Sequence, residues 1–260
     1  MGARRGRCGM KAYVNSSIHH LRAVNGAFAA ETAQGMLVLD AGAGRAPYAA
    51  LFGHTRYESA DLQTVDGANR DLTYHCDLAA IPVADGRFDR VLFNQVMEHV
   101  PDPAAVLAEL FRVLKPGGRL LCTAPLSFEE HEQPYDFYRY TQFGQRHLFS
   151  GAGFEVERIE WLEGYLGTLA YQLSRARKHL PLFDRRLTSR PAGLAAWPLL
   201  ALLALAAGPA VFALSRLDRT VKITDRGMPL NYVVWASKPL APGARVQQAR
   251  PDGATGAEGA

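Results

Sequence analysis

The sequence has few cysteines and no apolar leader segment. Three cysteines occur in 260 residues, Cys8, Cys76 and Cys122, and their spacing matches neither a zinc-binding pair nor a disulfide framework. We therefore expect a reducing compartment and no metal site. The basic residues 1–11 are not followed by the continuous apolar core of a secretory signal. This pattern predicts a cytoplasmic protein.

The sequence also has no large excess of positive or negative charge. The chain has 29 Lys and Arg against 25 Asp and Glu, a net charge of +4, and the surplus does not form a continuous stripe. This balance argues against nucleic acid as a partner. What the chain does have is 48% hydrophobic residues. Such a content is enough to bury one sizeable core.

Segments typical of strands and helices alternate along the chain. The predicted strands are residues 36–39, 56–60, a third element carrying Cys76 and Asp77, 88–93, 119–123, 154–161 and 231–237. Helical spacing of apolar residues covers residues 16–33, 47–52 and 103–114, with a Lys-Pro-Gly-Gly turn at 115–118. The alternation predicts an α/β fold, a doubly wound, mostly parallel sheet with helices on both faces.

The loop after the first strand carries the clearest binding signal. An open parallel sheet binds its ligand beyond the carboxyl ends of its strands, where the strand order reverses. Gly42 and Gly44 would let a ligand approach the backbone there. Asp61, after the second strand, could accept both hydroxyl protons of a ribose, and Asp77 could accept from an adenine amino group. The plain alternative is a strand-to-helix turn with capping or solvated acids.

A dinucleotide is the closest competing ligand for this loop. Dinucleotide sites place a third small residue where the phosphate-binding helix packs on the strand, and this chain has Pro47 there. The acid Asp40 also precedes the glycines. Both features disfavour a nicotinamide cofactor.

Three segments resemble the motifs of one family. Residues 38–44 resemble the first motif of the class I S-adenosylmethionine-dependent methyltransferases of the small-molecule type, and residues 88–100 and 112–118 resemble its fourth-strand motif and the turn before its fifth strand. The resemblance covers residues 36–160 and resumes at 231–238. It implies a Rossmann-like sheet of seven strands, the last one antiparallel and inserted between the fifth and sixth, and S-adenosyl-L-methionine as the cofactor.

The same resemblance implies the cofactor-binding residues. They are Asp40, Gly42, Gly44, Asp61, Asp77, Asn94 and Gln95. The chain departs from many members after Gly44, where residues 45–48 read Arg-Ala-Pro-Tyr instead of providing another glycine. This departure concerns the methionine end of the cofactor.

Residues 131–141 resemble a loop that covers the substrate mouth in one branch of the family, a branch often encoded with sugar-polymer and lipid-carrier functions. A lid of aromatic residues would exclude water from the site. If the acceptor is a hydroxyl, a base would assist, and His131, Asp136 and His99 are the candidates because they fall near the carboxyl ends of the fourth and fifth strands. The alternative is a structural loop in which Asp136 pairs with Arg139.

About seventy residues separate the sixth and seventh strands, and residues 192–214 carry no charge. This run is long enough to span a bilayer at roughly twenty residues. A single crossing would leave the seventh strand on the wrong side. We therefore expect a re-entrant or interfacial hairpin bent near Pro198 or Gly208-Pro209, with basic flanks on an anionic surface. A buried helical pair, a dimer interface and a true span are the alternatives.

These patterns divide the chain into five parts. They are an N-terminal helical segment (1–35), the cofactor-binding core (36–160), a helical hydrophobic insertion (161–230), the last core strand (231–238) and a disordered tail (239–260).

The resulting functional hypothesis is methyl transfer to a small-molecule or lipid- or sugar-linked acceptor, at the inner face of the membrane if residues 192–214 bind it. The alternative is a catalytically silent protein of the same fold that acts as a membrane-associated partner.

Overall fold

The computed structural model describes residues 16–62 and 71–240. Its strands are β1 (Leu37–Ala41), β2 (Arg56–Asp61), β3 (Tyr74–His75), β4 (Phe88–Asn94), β5 (Leu114–Pro125), β6 (Glu155–Trp161) and β7 (Asn231–Ser237). Its helices are α1 (Ser16–Ala30), α2 (Pro103–Val113), α3 (Gln142–Gly151), α4 (Tyr165–His179), α5 (Arg185–Thr188) and α6 (Pro191–Asp218), with 3₁₀ turns at Ala49–Phe52 and Met97–His99. The predicted disordered tail lies outside the described residues from 241 onward.

The seven strands form one sheet in the order β3-β2-β1-β4-β5-β7-β6. β1 pairs in parallel with β2 and β4, whereas β7 runs antiparallel to both β5 and β6. The predicted fold class and the inserted antiparallel strand are therefore confirmed. The strand order reverses between β1 and β4, so the loops after these strands meet at the switch point where open sheets bind ligands.

Helices bury the sheet on both faces. All five residues of β1 are buried, as a central parallel strand requires. On one face Phe28 of α1 packs edge-on against Trp235 of β7, with ring centroids 5.6 Å apart. On the other, Phe149 and Phe154 pack beside α2. The sheet is thus a rigid platform for the loops at its edge.

Two local predictions differ from the structure. The helix predicted at 47–52 is a single 3₁₀ turn, Ala49–Phe52. A longer helix does not fit, because β2 begins only four residues after Phe52. The turn predicted at 115–118 lies inside the bounds of β5. The pairing of β5 with β4 jumps there, from Leu114 opposite Phe88 to Arg119 opposite Arg90, so the turn is an outward bulge.

The insertion forms a helical hairpin of α4 and α6. A Cβ on Gly167 would meet the Asp218 carboxylate, and one on Gly208 would lie 3.2 Å from Arg177 Nη1, so the two helices run antiparallel. The predicted bend near Pro198 or Gly208-Pro209 is wrong: α6 continues through both prolines, and the hairpin is made with α4 instead. Packing along α4 supports the helix next to Pro209, whereas α5 is the neighbour of the half that contains Pro198.

The first half of α6 extends beyond α4. The pairing of Gly208 with Arg177 leaves residues 191–205 past the end of α4, with the short helix α5 as their neighbour. The large apolar side chains exposed in this half are Leu194, Trp197, Leu199, Leu202, Leu203 and Leu205. Within residues 16–62 and 71–240, α6 is the one helix long and apolar enough to cross a membrane, and 17% of its most apolar window is buried.

Candidate active site

The loop after β1 forms the floor of the site. Gly42 and Gly44 have positive φ values of +75° and +53°, a conformation that side chains rarely adopt. The Gly42 N–H donates to Ala60 O at 2.8 Å, and the Gly44 N–H donates to Asp61 Oδ2 at 2.8 Å. These bonds hold the loop against the end of β2.

A cavity of about 650 Å³ opens above this loop. Five of the seven predicted cofactor residues line it, namely Gly42, Gly44, Asp61, Asp77 and Gln95. They come from the ends of β1, β2 and β4 and from the loop after β3. Gly42, Gly44 and the two carboxylates of the neighbouring segments are thus brought together around one cavity.

Asp40 and Asn94 are not among the residues that line the cavity. Asp40 lies beneath the loop, where its carboxylate accepts a hydrogen bond from the Tyr57 hydroxyl. Burial raises the pKa of the Asp40 carboxyl to about 6. Asn94 donates to Asn25 Oδ1 of α1 at 2.9 Å and accepts from Thr123 Oγ1 at 3.1 Å. Both residues support the cavity wall from behind.

Gln95 supplies a polar group with no partner among the described residues. Its backbone has a φ of +55°, in the left-handed region that is costly for a residue with a side chain. Its Nε2 is buried and finds no hydrogen-bond acceptor among the described residues. A Cβ on Gly44 would meet nothing within 4 Å, so the cavity comes up to the backbone there. An amide donor in need of an acceptor and an open glycine cradle fit a ligand that carries a carboxylate, as S-adenosylmethionine does.

Residues 126–141 form the opposite wall as a lid. The N–H groups of Phe137 and Tyr138 donate to Glu98 O at 2.8 and 3.3 Å, and the Tyr140 hydroxyl donates to Met97 O at 3.0 Å. Tyr135 and Phe137 line the cavity. The aromatic lid predicted from residues 131–141 therefore lies over the site, held by backbone atoms of the loop after β4.

Asp136 and Arg139 form a structural ion pair within the lid. The Arg139 guanidinium donates to both carboxylate oxygens of Asp136, at 2.6 and 2.7 Å, and also to Phe128 O and Glu129 O. This pairing holds the pKa of the Asp136 carboxyl well below its usual range. The structure therefore favours the structural alternative for Asp136, because a carboxylate so engaged is a poor base.

His99 and His131 lie against each other at the cavity edge. Their Nε2 atoms are 3.1 Å apart, and His99 lines the cavity. His99 Nδ1 lies 2.6 Å from Tyr135 O, and His131 Nδ1 lies 3.2 Å from Glu129 O. The structure thus brings together two of the three predicted catalytic candidates. Asp136 Oδ2 accepts from the backbone N–H of His131 at 2.8 Å and lies 3.3 Å from its Nδ1.

Sequence reasoning missed Glu98. Its side chain is fully buried beside His99, and neither carboxylate oxygen has a hydrogen-bond partner in the described parts of the chain. Burial raises the pKa of the Glu98 carboxyl to about 8. The signal was available, because apolar residues surround this acid in the run Val96-Met97-Glu98-His99-Val100.

The lid also rests on the insertion. Phe128 stacks on Tyr171 of α4 with ring centroids 4.7 Å apart, and Gln172 Nε2 donates to Ser127 O at 2.8 Å. Arg175 of α4 forms an ion pair with Glu129. The hairpin and the mouth of the cavity are therefore parts of one packed unit.

Comparison with known proteins agrees with this site. A family model described as a methyltransferase domain matches residues 13–162. The chain belongs to this family. It carries a class I S-adenosylmethionine-dependent methyltransferase domain, and S-adenosylmethionine is the cofactor of that family. The nicotinamide alternative is thereby removed, and the catalytically silent alternative is not favoured.

Individual relatives match over shorter stretches. The methyltransferase is 49% identical over 47 residues to the ubiquinone/menaquinone biosynthesis C-methyltransferase of Desulfotalea psychrophila, which is 18% of this chain and 19% of that protein. It is 31% identical over 117 residues to the demethylmenaquinone methyltransferase of Lactococcus lactis, 43% and 45% of the two chains. The chain thus spans less than half the length of these curated relatives.

A solved structure from Bacillus halodurans, a methyltransferase candidate, shares the fold. It is 17% identical, the match covers 84% of this chain and 98% of that one, and the TM-score is 0.51.

Proposed function

We propose that this methyltransferase transfers the methyl group of S-adenosylmethionine to an oxygen, nitrogen or carbon atom of an apolar or lipid-linked small-molecule acceptor taken from the inner face of a membrane. The observation that carries the proposal is the contact between α4 and the lid, because it joins an apolar helix that lacks cover to the mouth of the cavity. The relatives named for menaquinone and ubiquinone biosynthesis support an apolar acceptor without identifying it.

The cofactor end of the cavity is built from five residues. Gly42 shapes the turn and Gly44 leaves space at the backbone. Asp61 and Asp77 offer carboxylates to hydroxyl and amino groups, and Gln95 offers an amide N–H to a carboxylate. The bound cofactor supplies a methyl group that is already activated on a sulfonium. The protein's part is therefore to align the acceptor with that methyl group and to exclude water.

The acceptor end is lined by apolar and aromatic side chains and by one polar corner. The apolar part comes from Val96, Val100, Val106 and Phe137, and the polar corner holds His99, Asp102 and Glu132. A hydroxyl acceptor must lose its proton, and we propose that His99, with His131 behind it, takes part in that step.

The proposed membrane contact is made by the uncovered half of α6. Residues 191–205 extend about 22 Å at the helical rise per residue, which is shorter than the roughly 30 Å of a hydrocarbon core. The other half is tied to the core, since the buried Asp218 lies 3.0 Å from His20 Nε2 of α1. Exposed Arg185, Arg186 and Arg190 flank the apolar half and suit anionic headgroups. This geometry favours partial insertion over a full span.

The cofactor assignment is tested by calorimetry. Asp61→Asn removes the charge that would face the ribose while keeping an oxygen for the Gly44 N–H, so we expect S-adenosylmethionine to bind at least about tenfold more weakly. Asp225→Asn changes an exposed acid before β7 and should bind like the wild type. Wild-type protein that binds no S-adenosylmethionine would instead support the catalytically silent alternative.

The acceptor is identified by product analysis. Protein and S-adenosylmethionine with an isotopically labelled methyl group are incubated with fractionated cell lipids, sugar precursors and aqueous metabolites. We expect the label in a lipid-extractable product. Label found only in water-soluble products would contradict the membrane-derived acceptor and leave the methyltransferase activity intact.

A further inference from the structure

Four side chains with metal-binding atoms meet at the edge of the cavity. His99 Nε2 lies 3.1 Å from His131 Nε2, 3.8 Å from Glu98 Oε1 and 3.7 Å from Glu132 Oε2. The ligand atoms of Glu98, His99 and His131 all lie within 4.8 Å of one another. They come from the loop after β4 and from the lid, which are more than thirty residues apart in sequence.

The surroundings of the two histidines determine which ring nitrogens carry protons. A carbonyl oxygen can only accept, so His99 Nδ1 must donate to Tyr135 O and His131 Nδ1 to Glu129 O. In the neutral imidazole the proton on Nδ1 leaves Nε2 as a bare acceptor. Two bare acceptors 3.1 Å apart repel each other unless a cation lies between them.

Glu98 adds a third acceptor to the same point. Its carboxylate is fully buried, and both oxygens lack a hydrogen-bond partner in the described residues. A buried carboxylate without a donor is costly, and buried acids usually pair with a cation or coordinate a metal. The two nitrogens and this carboxylate thus face one small space that a positive ion would stabilise.

We infer that Glu98, His99 and His131 bind a divalent transition-metal ion such as Zn²⁺, beside the carboxylate of Glu132. Zinc–ligand bonds of about 2.0–2.2 Å place neighbouring ligand atoms roughly 3 to 4 Å apart. His99 Nε2 has this spacing from its neighbours, and all three ligand atoms lie within 4.8 Å of one another. Two imidazole nitrogens and carboxylates suit a borderline ion such as zinc better than a hard ion such as magnesium. The carbonyls bound to each Nδ1 complete the outer shell typical of such sites.

The ion would face the acceptor. His99 and Glu132 both line the cavity, so a coordination position not taken by the protein opens into it. Three protein ligands and an open position are typical of catalytic zinc sites. This role rests on the proposed function. The ion would bind and polarise an acceptor oxygen in the cavity, and His99 and His131 would act on the acceptor through the ion. The binding of the ion itself does not depend on that function.

The test measures metal binding directly. Tag-free protein is stripped with a chelator, desalted and titrated with ZnCl₂ in a calorimeter without S-adenosylmethionine; Co²⁺ is then used to record the visible absorption of the bound ion. We expect about one ion per chain in the wild type and at least about tenfold weaker binding in His99→Gln and His131→Gln. His147→Gln, which changes an exposed histidine on α3, should bind like the wild type.

Two results would overturn the inference. One is a stripped wild-type protein that binds no ion, in which case a shared proton stabilises the two histidines. The other is equal binding in the wild type, His99→Gln and His131→Gln. Circular dichroism and S-adenosylmethionine binding show whether each variant is folded, and Glu98→Gln, which keeps the side-chain shape, provides a third ligand change if one histidine variant fails to fold. The titration contains no cofactor. It therefore tests metal binding even if the methyltransferase assay shows no activity.

Discussion

Gly42 and Gly44 share a positive φ but are constrained differently. A Cβ on Gly42 would collide with the Val96 side chain, whereas one on Gly44 would project into open space. Gly42 is thus required by the packing of the protein itself. At Gly44 no neighbouring atom of the described residues excludes a side chain. Apart from its positive φ, its constraint therefore comes from the ligand that occupies the cavity.

Gly44→Ala should therefore weaken cofactor binding more than stability. We expect a loss of about 1 kcal/mol in the free energy of unfolding from the positive φ, and S-adenosylmethionine binding at least about tenfold weaker because the new methyl group occupies ligand space. Gly35→Ala is the matched control, since its φ is +77°, its Cβ would also meet nothing within 4 Å, and it lies away from the cavity. Equal cofactor affinity in both variants would remove Gly44 from the binding surface.

Asp40 gives a stability that depends on pH. Its folded-state pKa of about 6 lies above the unfolded value of 3.8, so the folded protein holds this proton more tightly and stability falls as pH rises between these values. Asp40→Asn cannot ionise. We expect the free energy of unfolding of the wild type, relative to this variant, to decrease by up to about 3 kcal/mol between pH 4 and pH 7. Urea denaturation at both pH values measures it, and a constant difference would show that Asp40 is not perturbed.

The lid is held by few but specific contacts. Arg139 pairs with the Asp136 carboxylate and donates to two lid carbonyls, while the aromatic side chains Tyr135 and Phe137 remain nearly half exposed. A segment with little apolar burial depends on such a polar anchor and opens locally at low cost without it. We therefore expect the Arg139 side chain to control whether the lid stays ordered.

Arg139→Ala should release the lid without removing the cofactor site. The change leaves the Asp136 carboxylate, whose side chain is 2% exposed, without its cation, and we expect a local cost of about 3 kcal/mol. Limited proteolysis should cut within residues 126–141 at least about tenfold faster, with S-adenosylmethionine affinity changed less than about threefold. Arg226→Ala, which removes an exposed ion pair, should change neither. Unchanged proteolysis in Arg139→Ala would show that the aromatic contacts hold the lid.

The whole molecule combines a soluble-type α/β core with a hairpin whose outer half has little cover. Leu199 is 69% and Leu205 74% exposed, and both lie on the part of α6 that extends past α4. A contiguous apolar surface of this kind marks a membrane or a protein contact. Since the lid contacts α4 at Tyr171, Gln172 and Arg175, in the half of α4 nearest the extended part of α6, binding through that part would place the cavity mouth beside the surface that is bound.

Replacing Leu199, Leu202 and Leu205 together by serine should abolish membrane binding. We expect wild-type protein to float with anionic liposomes, less with neutral ones, and the triple variant to stay at the bottom of the gradient. Phe143→Ser is the control, because Phe143 is 75% exposed on α3, outside the hairpin. A wild type that does not float, together with a triple variant that dissociates from dimer to monomer, would assign this surface to a second copy of the chain.

Much of the core follows from local patterns. Strand positions, the loop at Gly42 and Gly44 and the acids at strand ends are set by apolar runs and turn residues a few positions apart, so they were predictable within a few residues. The unbroken course of α6 was not, because prolines favour a break in isolation and the packing of α6 against α4 and α5 exists only in the folded protein.

The positions of the strands along the chain, the cofactor loop and the apolar insertion were thus determined by the sequence alone, since each depends on residues close together in it. The pairing of Asp136 with Arg139, the approach of His131 to His99 and Glu98, and the seat of the lid on α4 were decided only by tertiary structure. These last two contacts join segments more than thirty residues apart, and sequence patterns carry no distance between such segments. Which donors meet, and whether they can hold an ion, therefore depends on how the folded sheet brings its loops together.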